Sequence, residues 1–402
     1  MHSSLPAAVR RDVLDPVACL RLEPALASSG NPSVWLYRYL HDETGWVLSI
    51  ATHGELRSGQ LSLGGFRIAP EHRTSLAGYD NDREAIELAI GMEEKIYWSR
   101  LIRVGGPLLR RHPAALVGGK CVLRPTADAR VGRPHDRELL DFAIACLRDF
   151  EATSGVCLVT GQDLGHGTMS DGATGSLQYM HRRFRGSMLA DTSKPTAEGN
   201  YRVLRGMLGA LGVSLSGALV GLIGCGNIGE HVLGRVLADG AEAVVVEPSA
   251  AKREAIATRA GVRALDATEK GAFLSLPLDA IVVNASGGSL DDATIAAIAA
   301  NERVRVVCGS ENLAMPNPEG AEVLRAAGKV YCPTELGGMM GYLTAVEEYL
   351  AAADDVPFDV ATLFEAAGRL EEAGRSATDE VRETDFRLSF EDAVRKLYGE
   401  KR

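Results

Sequence analysis

The chain of 402 residues lacks the features that mark several large classes of protein. Acidic residues outnumber basic ones by 53 to 43, the formal net charge is -10, and the basic residues are scattered. Nucleic-acid-binding proteins carry a clustered basic surface, so we expect no nucleic-acid partner. No stretch approaches the roughly 20 apolar residues that a membrane-spanning helix needs, so we expect no membrane partner either.

Cysteine usage argues against two further arrangements. The cysteines lie far apart and contain no C-x-x-C pair: Cys19, Cys121, Cys146, Cys157, Cys225, Cys308 and Cys332. This pattern favours reduced thiols in a cytoplasmic protein, without a disulfide framework or a metal site. The N-terminal segment MHSSLPAAVRRDVLD contains no apolar core, so we expect no secretory signal.

The composition is that of a globular protein, and the sequence pattern changes near Pro195. Hydrophobic residues make up 46% and charged residues 24% of the chain, which is long enough for two domains with separate cores. Beyond Pro195, strands and helices alternate, which predicts a parallel sheet covered on both faces. We expect a two-domain α/β protein: a substrate domain over 1–195, a doubly wound Rossmann domain over 196–345, and helices over 346–402 that pack back on the first domain.

A glycine-rich loop between an apolar strand and an amphipathic helix is the strongest local motif. In IGCGNIGEHVLGRVL, Gly224 permits a tight turn, Gly226 lets a pyrophosphate approach the backbone, and Gly229 lets helix and strand pack closely. The N-terminus of the following helix offers N–H groups to the phosphates. The sequence therefore predicts a dinucleotide-binding site.

The acidic residue that follows this loop bears on the choice of cofactor. Glu247 ends the next strand, where a carboxylate holds ribose hydroxyls. A carboxylate also repels a 2′-phosphate, so the sequence favours NAD over NADP. Lys252 and Arg253 lie close enough along the chain to leave NADP as the alternative.

Seven motifs follow one another in an order known from a single family. They are SLGGFR, GMEEK, VGGK, TGQDLG, SKPTAEGNYR, IGCGNIG and GSENLAMPNPEG. With them, residues 46–345 resemble the glutamate, leucine, phenylalanine and valine dehydrogenases, whose own motifs include an L-G-G-x-R turn, a G-G-G-K turn and a G-S-A-x-N-Q-L segment. The resemblance implies NAD-dependent oxidative deamination of an L-amino acid to its 2-oxo acid and ammonia, or the reverse reaction, by a homo-oligomer.

The resemblance also implies roles for individual residues. Lys120 matches the catalytic lysine, Asp163 the catalytic aspartate, and Lys95 the lysine that binds the substrate carboxylate. Further substrate residues implied in the same way are Leu63, Gly64, Gly65, Gly161 and Asn312. The implied cofactor residues are Thr196, which lines the interdomain cleft in the family, together with Gly224, Gly226, Asn227, Ile228, Gly229, Glu247, Asn284 and Ala285.

The chemistry of the implied reaction suits these residue types. Removal of a hydride from the α-carbon leaves an iminium ion, which water must attack. A lysine that is partly desolvated and crowded by another cation can act as the base near neutral pH. We expect Lys95 to crowd Lys120 in this way and Asp163 to relay protons to and from the departing ammonia.

The resemblance does not assign a catalytic or binding role to two nearby residues, His166 and Arg67. His166 stands where the family usually has a threonine, and we expect a loop histidine rather than a catalytic one. For Arg67, in SLGGFR, a purely structural role is as good an interpretation as a functional one.

Two positions suggest the class of substrate. Glutamate enzymes tend to carry a lysine before G-G-x-R, whereas this chain has Leu63, which would leave a distal carboxylate buried and unpaired. Gly161 resembles the T-G-x-D form of the phenylalanine enzymes and widens the pocket by a methyl group. We therefore expect a large apolar or aromatic L-amino acid. The alternative is that the turn itself requires glycine at this position.

Departures from the family pattern leave other functions open. Val117 replaces a glycine, about a dozen extra residues separate Lys95 from Lys120, and 335–338 replace an N-A-G-G segment. An enzyme acting on an imine or a modified amino acid in a specialised pathway is one alternative. A catalytically silent sensor of NAD and an amino acid is another. A 2-hydroxy-acid dehydrogenase is excluded because His231, on the helix of the glycine loop itself, is the only histidine beyond that loop.

Overall fold

The computed structural model describes residues 5–112 and 115–399, so the first four residues of the N-terminal segment discussed above lie outside it. The chain forms two compact units, one comprising 1–96, 107–192 and 342–358, the other 97–106, 193–341 and 359–402. All seven cysteines are free. Among the described residues, no helix has both the length and the apolar character needed to cross a membrane.

Both units are built on β-sheets flanked by helices. The strands are β1 (Val9–Leu14), β2 (Val34–His41), β3 (Val47–His53), β4 (Leu61–Leu63), β5 (Phe66–Ile68), β6 (Leu116–Arg124), β7 (Cys157–Val159), β8 (Leu219–Ile223), β9 (Glu242–Val246), β10 (Val262–Leu265), β11 (Ala280–Val283), β12 (Val306–Gly309) and β13 (Val330–Tyr331).

The α-helices are mostly short, with a few longer ones. They are α1 (Pro16–Leu22), α2 (Glu71–Thr74), α3 (Asn81–Ile102), α4 (Pro107–Arg111), α5 (Asp136–Ser154), α6 (Ser176–His181), α7 (Ser193–Ala210), α8 (Asn227–Ala238), α9 (Ala250–Ala257), α10 (Lys270–Leu274), α11 (Asp292–Ala300), α12 (Gly320–Ala326), α13 (Thr334–Gly337), α14 (Met340–Asp354), α15 (Ala361–Ala366), α16 (Gly368–Glu383) and α17 (Phe390–Tyr398).

The first unit contains a seven-stranded mixed sheet with β6 in a central place. Its order is β1-β2-β3-β6-β4-β7, and β5 also pairs with β6. Strands β2 and β3 form an antiparallel hairpin, with Gly45 in the connecting turn at φ 73°. The buried face of α5, including Leu140 and Leu147, belongs to the same apolar core as Tyr39 and Leu48 of the sheet.

The start of α3 is capped by Asp80, whose side chain accepts the N–H groups of Asp82 and Arg83 at 2.9 and 3.1 Å. One local expectation for this unit was wrong. VGGK is not a turn, because its residues lie inside β6. The glycines there serve close packing: a Cβ on Gly118 would lie 2.4 Å from the backbone nitrogen of Glu93.

The second unit is a doubly wound Rossmann fold, as the sequence predicts. Its six strands are ordered β10-β9-β8-β11-β12-β13 and all pair in parallel. Strand β8 lies next to β11, so the chain reverses its winding direction there. Ligands of such sheets bind where the strand order reverses, at the carboxyl ends of the strands.

The C-terminal segment differs from the expectation. Of the segment 346–402, only residues up to 358 belong to the first unit, and 359–402 belong to the second. Helix α16 packs along α7, where a Cβ on Gly206 would lie 2.2 Å from the carbonyl oxygen of Glu371. The guanidinium of Arg205 pairs with the Glu371 carboxylate at 2.6 Å. Small residues and complementary charges therefore direct this helix to the Rossmann unit.

Candidate active site

The first unit brings Lys120 and Asp163 into direct contact. Strands β4 and β5 both run parallel to β6, and the break between them at Gly64–Gly65 lies opposite Gly119–Lys120. A Cβ on Gly64 would lie 1.9 Å from the carbonyl oxygen of Gly119, so only glycine allows this approach. Asp163 follows β7, and its Oδ2 accepts a hydrogen bond from the Nζ of Lys120.

Arg67 extends this pair into a cluster of buried charged side chains. Its Nη2 lies 3.3 Å from the Oδ1 of Asp163, and its Nη1 lies 2.8 Å from the Oε1 of Glu84. Arg73 approaches the same oxygen of Glu84 through its Nε at 3.1 Å. Only 2% of the Arg67 side chain is exposed. Arg67 therefore contacts the candidate catalytic aspartate directly.

The charges of this cluster set the protonation states of Lys120 and Asp163. Burial alone would raise the pKa of Asp163, but the positive charges of Arg67 and Lys120 reverse that effect and hold it well below its usual value. Burial lowers the pKa of Lys120, Asp163 opposes this, and the charge of Arg67 adds to it. Arg67 is thus a crowding cation that the sequence did not identify, beside the one expected from Lys95.

Sequence reasoning missed two members of this cluster, Glu84 and Arg73. Glu84 resembles any acidic residue in the first turn of a helix, and Arg73 lies in the short helix α2. Neither carries a motif that could have revealed its partner. Both are brought to Arg67 because β5 leads directly into α2 and α3.

His166 has the structural role that the sequence favours. Its Nε2 lies 2.9 Å from the carbonyl oxygen of Phe66, and its Nδ1 lies 3.0 Å from the hydroxyl of Ser176. Burial lowers the pKa of His166. A neutral imidazole can donate to the carbonyl and accept from the hydroxyl, so the ring connects the loop after Asp163 to β5 and α6.

The remaining candidate substrate residues occupy different settings. Lys95 is buried on α3, Leu63 is buried at the end of β4, and Asn312 is half-buried in the second unit. A Cβ on Gly65 would lie 3.2 Å from the Nζ of Lys120, so this glycine adjoins the lysine. Gly161 has no left-handed φ, and a Cβ there would make ordinary contacts with Ala345 and Thr192 at 3.5 and 3.7 Å. Its backbone therefore does not require glycine.

The second unit gives the glycine loop the geometry of a dinucleotide site. Gly224 has φ 87°, and a Cβ there would lie 2.8 Å from the backbone of Ala285. A Cβ on Gly229 would lie 2.3 Å from the carbonyl oxygen of Gly224. A Cβ on Gly226 meets nothing within 4 Å, which leaves open space before the first residues of α8, Asn227 and Ile228. These residues fit a dinucleotide cofactor.

Glu247 connects the glycine loop to the end of β9. Its Oε2 accepts the N–H of Cys225 at 2.9 Å, and its Oε1 accepts that of Ser249 at 3.0 Å. The guanidinium of Arg253 donates to the carbonyl oxygens of Glu247 and Pro248 at 2.8 and 2.7 Å. Arg253 also pairs with Asp266, so its charge is already compensated inside the unit. Lys252 is exposed.

Asn284 provides a second feature that fits a ligand. Its Oδ1 accepts hydrogen bonds from Asn200 at 2.8 Å and from Ser310 at 2.7 Å, which fixes the orientation of the amide. Its Nδ2 is buried and has no hydrogen-bond partner among the described residues. Asn284 adjoins the glycine loop, since a Cβ on Gly229 would lie 3.6 Å from its Cβ. The orphaned amide is therefore a donor available to a bound cofactor.

Glu311 is a further residue that the sequence did not single out. Its carboxylate accepts the N–H groups of Ala285 at 3.0 Å and of Ser289 at 2.9 Å, and it is almost fully buried. It thereby holds the loop that follows β11. The family motif G-S-A-x-N-Q-L has alanine at this position, which could have marked Glu311 as unusual. Thr196, buried on α7, completes the candidate cofactor residues of this unit.

Comparisons with known proteins agree with this geometry. Residues 219–286, which contain four of the six strands of the Rossmann sheet, match the family described as NADP oxidoreductase coenzyme F420-dependent. The valine dehydrogenase of Streptomyces virginiae is 28% identical over 242 residues, which cover 58% of this chain and 62% of that protein. The chain thus matches about three-fifths of the length of this curated relative.

Solved structures extend the likeness, in fold, to nearly the whole chain. The L-tryptophan dehydrogenase of Nostoc punctiforme has a TM-score of 0.61 at 19% identity, covering 94% of this chain and 97% of that one. The hetero-hexameric glutamate dehydrogenase of Thermus thermophilus has a TM-score of 0.61 at 15% identity, covering 97% and 86%. This chain has the fold of the amino acid dehydrogenases. The family resemblance seen in the seven motifs is confirmed.

Within the amino acid dehydrogenase fold, the two groups of candidate residues fall in different units. The lysine–aspartate pair with Arg67 lies in the first unit, and the glycine loop with Glu247 and Asn284 lies in the second. Each group forms a coherent site by itself.

Proposed function

We propose that this protein is an NAD-dependent L-amino-acid dehydrogenase, which converts a large apolar or aromatic L-amino acid to its 2-oxo acid and ammonia, or catalyses the reverse reaction. The observation that carries the proposal is the buried Lys120–Asp163 pair. A surface ion pair would not need this burial, and a buried one without a function is costly to keep.

The residues of the first unit divide the proton chemistry between them. When NAD is bound, it supplies the acceptor for the substrate hydride. Neutral Lys120 takes a proton at Nζ from the water that attacks the α-carbon. Asp163 holds Nζ in place through Oδ2 and exchanges protons with the departing amine. Lys95 pairs with the substrate carboxylate and so orients the α-carbon.

The surroundings of Glu247 support NAD over NADP. Its carboxylate would repel a 2′-phosphate, and Arg253 is already engaged with Asp266 and with main-chain carbonyls. Lys252, on the exposed face of α9, is left as the nearby cation that could favour NADP. Glu247→Ser should narrow the preference for NAD, and a wild-type preference for NADP would contradict the assignment.

The assembly is proposed to be at least a dimer, formed mainly through the first unit. A solved neighbour from Thermus thermophilus is described as hetero-hexameric, and the family resemblance implies a homo-oligomer. Light scattering at micromolar concentration tests this, and a monomer would count against it.

The decisive experiment is a panel of L-amino acids with NAD and with NADP, followed by the absorbance of the reduced cofactor. We expect large apolar or aromatic substrates to be oxidised best. Oxidation of only an N-substituted or otherwise modified amino acid would favour the specialised-pathway alternative. Tight binding of NAD without turnover of any substrate would favour the sensor.

The role of Lys120 is tested with a matched pair of variants. Lys120→Ala should lower kcat by about 10²- to 10⁴-fold while NAD still binds, as expected for loss of a general base. Lys329→Ala is the control, because Lys329 is equally buried but donates to the carbonyl oxygen of Asn301 in the second unit. A Lys120 variant within tenfold of wild type would contradict the proposed role.

A further inference from the structure

We propose that Arg67 is a positioning residue for the Lys120–Asp163 pair: it holds Asp163 as a carboxylate when Lys120 has given up its proton, so that the neutral lysine is free to act as the base. This inference rests on the proposed function of the pair. It assigns a role to a residue that the sequence alone left undecided.

The geometry gives each oxygen of Asp163 its own cation. Lys120 contacts Oδ2, and Arg67 contacts Oδ1 at 3.3 Å. Both cations are nearly inaccessible to solvent, with side-chain exposures of 3% and 2%. If Arg67 were absent, proton loss from Lys120 would leave a buried carboxylate without a cation in contact. Such an uncompensated charge is strongly unfavourable.

A count of charges shows which protonation state the cluster favours. With Lys120 protonated, the cations Lys120, Arg67 and Arg73 face the anions Asp163 and Glu84, an excess of one positive charge. With Lys120 neutral, two cations face two anions and the cluster is balanced. The arrangement therefore favours the neutral lysine that a general base requires.

Three other titratable groups around the cluster do not change this count near neutral pH. Burial raises the pKa of the Cys121 thiol, next to Lys120, to about 12. Burial also raises the pKa of Tyr79, beside Glu84, and lowers the pKa of His166, which faces Asp163. All three are uncharged there. Lys95, the other buried lysine of this unit, is left unchanged in every variant below.

Two substitutions should move the protonation of Lys120 in opposite directions. Arg67→Met removes a positive charge and should raise the midpoint of Lys120 titration by about one to three pH units, the range expected for a close charge. Glu84→Gln removes the anion that shares Arg67 and should lower the same midpoint. A residue needed only for packing would not produce shifts of opposite sign.

The titration is measured without turnover. Acetic anhydride is applied to the cofactor-free protein over a range of pH, and acetylation of Lys120 is followed by mass spectrometry of its peptide. Arg130→Met is the matched control, because this half-buried arginine of the same unit donates to the carbonyl oxygen of Ala69 and the hydroxyl of Thr74. We expect no shift in the control. The acidic limb of the pH profile of kcat/KM should follow the acetylation midpoints.

The outcomes separate this inference from the proposed function. Opposite shifts in acetylation support the inference even if no amino acid is oxidised, in which case only the proposed function fails. Equal shifts, or no shift, in the two variants overturn it even if the protein is an active dehydrogenase. If Arg67→Met does not fold, Glu84→Gln alone decides, because an unchanged or raised midpoint in that variant contradicts the inference.

Discussion

Gly226 is the position where binding of the cofactor can be tested without disturbing the fold. Its backbone, at φ -72° and ψ -162°, is accessible to any residue, and an added Cβ meets nothing within 4 Å. The other two glycines of the loop differ. A Cβ on Gly224 would lie 2.8 Å from Ala285, and one on Gly229 would lie 2.3 Å from the carbonyl oxygen of Gly224. Alanine at either would disturb folding itself.

The expected effects of Gly226→Ala on stability and on binding have opposite signs. Replacing glycine by alanine where the backbone permits it stabilises a protein by about 0.4–1 kcal/mol. The added methyl group would nevertheless occupy the space through which a pyrophosphate approaches the backbone. Overpacking of this kind costs about 1–3 kcal/mol, which corresponds to roughly 5- to 150-fold weaker binding. The variant should therefore unfold no earlier than wild type and bind NADH more weakly.

Isothermal titration of NADH and thermal unfolding, measured on the same samples, give both quantities. Gly234→Ala is the control, because Gly234 lies on the exposed face of α8 and a Cβ there also meets nothing within 4 Å. We expect the control to keep the affinity of wild type. If Gly226→Ala binds NADH as tightly as wild type, the pyrophosphate does not approach this loop and the assignment is refuted.

Three further predictions concern substrate choice, loop anchoring and pH. Gly161→Ala should shift preference from aromatic toward branched aliphatic substrates by about 1–3 kcal/mol of discrimination, and an unchanged ranking in the substrate panel would refute the pocket argument. Glu311→Gln loses one of the two carboxylate acceptors that hold the loop after β11, so the unfolding free energy should fall by about 1–3 kcal/mol. Hydrogen exchange of the Ala285 and Ser289 amides should also accelerate in the cofactor-free protein, and unchanged exchange would show that the loop is held otherwise. Because the pKa of His166 is lowered in the folded state, the unfolded chain binds more protons below the ordinary value of 6.5, and the unfolding free energy should fall as the pH drops through that region. His166→Gln should reduce this slope, which is at most about 1.4 kcal/mol per pH unit for one group, and equal slopes in urea titrations would contradict it.

The Rossmann unit could be predicted in detail because its determinants are local. A strand, a G-x-G-x-x-G loop and a helix occupy consecutive residues, so the order of residues nearly dictates their geometry. The roles expected for Gly224 and Gly229 agree with the close approaches seen at both positions. The family order of motifs likewise predicted that Lys120 and Asp163 belong to one site, although they lie 43 positions apart along the chain.

The cluster around that pair depended on tertiary structure. Arg67, Glu84, Lys120 and Asp163 come from four separate segments, and they meet because β5 pairs with β6 and α3 packs beside it. Nothing local marks Glu84 as the partner of Arg67, since an acidic residue in the first turn of a helix is favourable on its own. The same limit explains the error at VGGK: glycines that indicate a turn in sequence were needed for close packing inside a strand. It also explains why the packing of residues 359–402 on the second unit was not predicted, because the face against which a helix packs is set by complementary surfaces that lie far away in the sequence.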